Sequence, residues 1–149
     1  MLGAVAVALL FFDAPGHTTL PVAVPWLLAG LGLRAVAFRH LGGQGRTRDP
    51  SPPSGHVVTG PYSRLEHPVY VANLLIAAGL VFAMAPPDRV AAAGLIIVTG
   101  LYVALAARES EQLRSLPIER RAPRTWPQVA RSERSTWLTV GVVLLLAFG

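Results

Sequence analysis

Two uncharged apolar stretches, residues 69–85 and 90–107, are separated only by Pro86, Pro87, Asp88 and Arg89. A helix needs roughly 17 to 20 such residues to cross the hydrocarbon of a bilayer, so each stretch is long enough to cross it alone. The gap admits only a tight turn, and the pair therefore predicts an antiparallel helical hairpin. Residues 20–38 form a third stretch of this kind, with Arg34 near one end and Pro21 and Pro25 near the other. Proline is accepted in the first turn of a helix, where the missing N–H has no intrahelical partner. The segments 2–12 and 136–149 are apolar but shorter. The first lacks the basic flank and cleavage site of a signal peptide and reads as a short span. The second reads as a final span or a half-inserted helix. The expected fold class is all-α, a polytopic transmembrane helical bundle of four or five spans around a central hairpin. It forms one membrane-embedded domain over residues 1–149.

Composition agrees. Only 14% of the residues are charged and 52% are hydrophobic, whereas a soluble domain carries about a quarter charged. There is no cysteine, which excludes disulfides, thiolate metal sites and thiol nucleophiles. All 13 basic residues are arginine, which excludes Schiff-base and phosphate-loop lysine chemistry and hints at a GC-rich bacterial genome. Arg39, Arg46, Arg48 and Arg64 fall in residues 39–66, and Arg108, Arg114, Arg120, Arg121, Arg124, Arg131 and Arg134 in residues 108–135. The turn between the two central stretches has only Arg89, beside Asp88, and residues 13–19 have none. By the positive-inside rule both arginine-rich segments are cytoplasmic, as an even number of spans between them requires. The expected location is the bacterial inner (plasma) membrane. Topology and anionic-lipid contact account for the net charge of +5 without nucleic acid as a partner. Residues 46–55 read as a flexible polar linker, and Gly42-Gly43-Gln44-Gly45 as a helix-ending turn.

Chemistry concentrates at one place. Tyr62, Arg64, Glu66, His67 and Tyr70 lie at the mouth of the span that opens with Pro68. Proline at a first helical position holds His67 just outside the helix, beside free N–H groups and the positive end of its dipole. An interfacial tyrosine belt is the plainer reading of the same residues. The following stretch ends in Arg108-Glu109-Ser110-Glu111, and an antiparallel pair would bring Glu109 level with His67. Tyr102 and Glu109 share one helix face, with Arg108 and Glu111 on another. The plainer reading of Glu109 and Glu111 is a solvated helix end. Arg34 either snorkels to the interface or binds a substrate head group. Asn73, inside a span, is expected to bond a neighbouring helix. Trp26 and Trp137 suit interfacial anchors, and His17, His40 and His56 read as loop histidines without metal-like spacing.

Thr59-Gly60-Pro61-Tyr62, then His67-Pro68 and Tyr70, with Gly79 further on, followed by a tight hairpin and an acidic position before Leu113, resemble the isoprenylcysteine carboxyl methyltransferase and phospholipid methyltransferase family. The resemblance covers roughly residues 30–116. It implies S-adenosylmethionine as cofactor at the cytoplasmic mouth and a lipid-like or prenylated acceptor entering from the bilayer. It implies that His67, Pro68 and Tyr70 line the cofactor pocket, that Glu109 holds the cofactor's amino group or ribose, and that Tyr62 and Arg64 stand at the rim. Arg108 or Arg34 would orient a carboxylate acceptor, and Glu109 or His67 would take a proton from an amine acceptor. Methyl transfer from a sulfonium needs alignment and exclusion of water, and no metal. Glu66 stands where the family usually has arginine, Ala72 where glycine is common, and Ser110 replaces the second acidic residue. The aromatic stretch that follows in the family has no counterpart in residues 116–126. Those departures support a rival reading, a catalytically silent member serving as membrane scaffold or partner subunit. A nicotinamide-dependent membrane reductase shares the histidine–proline hairpin, but Val69 stands where such enzymes usually carry asparagine.

Overall fold

The computed structural model describes residues 20–41, 55–84 and 88–148. The expectations for residues 2–12, 13–19, 42–54 and 85–87 lie outside them. Among the described residues the chain forms four α-helices: α1 (Leu20–Leu41), α2 (Pro68–Met84), α3 (Asp88–Arg114) and α4 (Trp126–Phe148). A 3-10 turn, Gly60–Ser63, and two strands, β1 (His56–Val57) and β2 (Ile118–Glu119), lie between them. Each of the three long apolar stretches has become one helix. α1 and α3 are long and apolar enough to cross a membrane, and α2 is apolar but shorter. The apolar window of α3 is only 6% buried, with Ile96, Ile97 and Val103 on its open surface. A soluble globule would turn such a helix inward.

α1 and α2 form the tightest contact of the bundle. A Cβ on Gly30 would lie 2.7 Å from Ile76 Cγ1 and 2.9 Å from the Ala72 carbonyl oxygen, and one on Gly79 would lie 2.7 Å from Leu27 Cγ. These glycines let the two backbones approach within side-chain distance, as small residues do between apolar helices. Leu27, Ile76 and Leu80 then close a core with Val140 and Val143 of α4.

α4 begins well ahead of the apolar run at residue 136. Its buried residues are Val129, Glu133, Thr136, Val140 and Val143, at alternating spacings of four and three that form one helical stripe. The polar turns before residue 136 belong to this helix because that stripe starts at Val129.

The arginine-rich segments meet at one end of the bundle. β1 and β2 pair in parallel, His56 with Ile118 and Val57 with Glu119. The Arg124 amide donates to the Arg39 carbonyl at 2.8 Å, the Arg39 Nε returns a bond to the Arg124 carbonyl at 3.0 Å, and its guanidinium lies 4.7 Å over the Trp126 ring. Arg121 donates to the Leu41 carbonyl at 3.0 Å, which satisfies one of the carbonyls left over at the end of α1. His40 lies in the last turn of α1 and His56 in β1, where helix and strand replace the expected loops.

Candidate functional site

Thr59-Gly60-Pro61-Tyr62 makes the turn that leads into α2. Gly60 has φ of +61°, a left-handed conformation that glycine adopts without a Cβ penalty. A Cβ there would also run into the His40 ring, at 2.5 Å. His40 Nδ1 is 3.3 Å from the Thr59 hydroxyl, so the end of α1 fixes the turn. Pro61 is the second residue of the 3-10 turn, and the Tyr62 hydroxyl that follows is buried.

Pro68 starts α2 as expected, and the His67 carbonyl accepts from the amides of Tyr70 and Val71. His67 is thus the residue at the helix boundary. Its ring stacks on Tyr70 with centroids 5.3 Å apart. The C-terminal end of α3 comes up beside it. Tyr70 donates to Glu109 Oε2 at 2.6 Å, His67 Nε2 is 2.8 Å from Ser110 Oγ, and His67 Nδ1 is 3.5 Å from Glu109 Oε2. Tyr102 closes the group from below, its ring 5.2 Å from that of Tyr70. Ser110 is therefore joined to the same cluster. Hydroxyl, imidazole and carboxylate stand in series, an arrangement that can accept a proton at His67 and stabilise the resulting charge through Glu109.

The Tyr62 hydroxyl is buried and has no hydrogen-bond partner among the described residues. Burial, and then the nearby Glu109 charge, push its ionisation well above the ordinary tyrosine range, so it is a neutral hydroxyl able to donate. Glu66 lies outside in water. A hydrogen bond from Ser110, and then the neighbouring His67 and Arg114, hold its carboxyl below the usual range.

A second polar group lies one turn deeper along α2. Arg34 donates through Nε to Glu133 Oε2 at 2.5 Å and through Nη1 to Asn73 Oδ1, and its guanidinium lies 4.8 Å over Phe38. The side chains are 12% exposed for Arg34 and 2% for Glu133. Arg34 thus turns inward to an acid on α4, and Asn73 bonds across helices as expected. Glu133 escapes a reading by hydropathy because it sits among Arg131, Ser132, Arg134 and Ser135. Its sequence signal is its place on the Val129–Val143 stripe.

His67, Pro68, Tyr70 and Glu109 are brought together with Tyr62 alongside. Arg64 and Arg108 are exposed, and among the described residues neither side chain has a recorded hydrogen bond or ion pair with the cluster. Arg108 instead lines an open groove of about 440 Å³ with Ala107, Ser110, Glu111 and Arg114. This groove adjoins the cluster through Ser110. No family model, curated protein or solved structure matches the chain.

Proposed function

We propose that this chain is an integral membrane methyltransferase that uses S-adenosylmethionine and methylates a lipid or prenylated acceptor at a carboxylate or an amine. The carrying observation is the convergence of Tyr70 and His67 on Glu109 beside the buried, unpartnered Tyr62 hydroxyl. A buried donor without a partner is costly unless a ligand supplies one. A carboxylate for an ammonium, with hydroxyls for ribose oxygens, suits this cofactor. The family resemblance points to the same residues.

In this reading the bundle lies in the bacterial plasma membrane with its arginine-rich end in the cytoplasm. It has four or five spans, α2 and α3 form the central hairpin, and α4 is a final span or a half-inserted helix. The bound cofactor supplies a methyl group on a sulfonium, open to in-line displacement. The chain's own work is placement and shielding. Glu109, oriented by Tyr70, holds the ammonium, and Tyr62 fills its hydrogen bond on the ligand. His67 takes the proton of an amine acceptor, with Ser110 and Glu109 stabilising the imidazolium. The apolar helices around the mouth exclude water, which strengthens each of these contacts. For a carboxylate acceptor, Arg108 is the available cation at the mouth, because Glu133 and Asn73 already engage Arg34.

That engagement of Arg34, with Ser110 on His67, favours the catalytically silent scaffold as the second reading. Calorimetric titration of the purified protein with S-adenosylhomocysteine separates the two, with a nicotinamide dinucleotide as control. Saturable binding of the first alone, weakened at least about tenfold by Glu109→Gln and little by Glu111→Gln, is expected for the enzyme. That factor corresponds to the loss of one charge-assisted bond. A folded protein that binds neither ligand is the scaffold.

A further inference from the structure

We infer that the outward face of α4 seats an anionic phospholipid of the bilayer, separate from any methyl acceptor; the inference rests on the membrane reading above. Arg131, Arg134, Leu138, Val142 and Leu145 recur at spacings of three and four and so share one face. It is the face away from Val129, Glu133 and Val140. Both arginines are exposed, and Leu138, Val142 and Leu145 are 57%, 52% and 73% exposed. The face therefore changes from cationic to apolar along the helix, as a phospholipid changes from phosphate to acyl chain.

Charge and length select the occupant. The only acidic residue in α4 is Glu133, which is turned inward and bound to Arg34. Nothing acidic on α4 therefore offsets Arg131 and Arg134, and among the described residues neither forms an ion pair. The fork of an arginine matches phosphate oxygens in two directions at once. From Arg134 to Leu145 the helix rises about 16 Å, close to the roughly 15 Å of one leaflet's hydrocarbon. Trp137 lies exposed beside the transition, at the depth where indoles settle between head groups and chains. A second copy of this chain would have to bury two unpaired arginines on this face, which the charge disfavours.

The test places the purified protein in vesicles of phosphatidylcholine alone or mixed with phosphatidylglycerol. Insertion is scored by resistance to alkaline carbonate, and lipid retained after mild detergent transfer is counted by native mass spectrometry. The wild type is expected to retain phosphatidylglycerol and not phosphatidylcholine. An arginine near an anionic surface contributes about a fivefold preference, so Arg131→Gln with Arg134→Gln should weaken retention by roughly 30-fold. Both residues are exposed, so the double variant keeps its melting temperature, and Arg120→Gln serves as the cationic control with unchanged retention. Insertion without retention, or retention equal in the double variant, overturns the lipid seat alone. So does displacement of the lipid by inorganic phosphate at equal concentration, or cross-linking of Leu138→Cys to a second copy irrespective of lipid. Release by carbonate overturns the membrane reading along with it.

Discussion

Two carboxylates on successive helices have opposite situations. Glu109 on α3 accepts from Tyr70 with its side chain 43% exposed, whereas Glu133 on α4 accepts from Arg34 with 2% exposed. Water can stabilise the first in any arrangement its neighbours adopt. The second has only the protein to compensate its charge, and its partner Arg34 is itself largely enclosed. The mouth can thus exchange one set of contacts for a ligand's, while the interior pair is committed to one arrangement. A site and a fastening use the same chemical groups, and burial separates them.

The largest effect should come from breaking the interior pair. Glu133→Ala leaves a buried guanidinium without its counter-charge, a loss of about 3–5 kcal/mol in comparable buried pairs. Thermal unfolding in detergent should show it, and Arg34→Met combined with Glu133→Leu should recover most of the loss. If Glu133→Ala unfolds like the wild type, the pair is not buried and the contrast collapses. Next comes the turn that delivers Tyr62. Gly60→Ala places a side chain in left-handed backbone, about 1–2 kcal/mol, and displaces the His40 ring. Binding should suffer more than melting, because the turn sits at the mouth, and a melting change without a binding change would remove Tyr62 from the site.

Tyr70→Phe is a finer probe. It deletes the bond to Glu109 and keeps the ring stack, so S-adenosylhomocysteine should bind about tenfold more weakly with an almost unchanged melting temperature. A stability loss comparable to that of Glu133→Ala would make the mouth a fastening too. The smallest effect belongs to Glu66. Its folded pKa lies below the unfolded value, so its stabilisation is present above the unfolded value and is lost as pH falls through the folded one. Glu66→Gln should flatten that part of the acid limb. An unchanged limb would mean that Ser110 does not serve Glu66.

What could be read from residues alone divides along the same line. α2 and α3 follow from uncharged apolar runs and α1 from one broken only by Arg34, and Pro68 correctly marks where α2 starts. The mouth was legible because its members lie in two short stretches at adjacent helix ends. Those ends meet through Tyr70 and Glu109, although α2 has 17 residues and α3 has 27. Glu133 was not legible by hydropathy, since its turn of α4 carries more polar than apolar side chains. Nor does anything near Arg34 in the chain name a partner on a helix far downstream. Hydropathy reports which solvent a segment prefers, and pairing between distant helices depends on rotation about their axes.

The pairing of β1 with β2 sets an order of assembly. The strands are parallel and adjacent, yet α2 and α3 lie between them in the chain. They can join only after both helices have emerged, several seconds after His56 at the roughly 5–20 residues per second of synthesis. Tyr62 and His67 thus leave the ribosome early and wait for Glu109 and Ser110. A nascent chain halted between Arg89 and Arg108 would hold three apolar segments and half of a mouth. The mouth is nevertheless complete before the interior is, because Glu133, Val140 and Val143 of α4 leave the ribosome after Glu109 and Ser110 and only then reach Arg34 and the core.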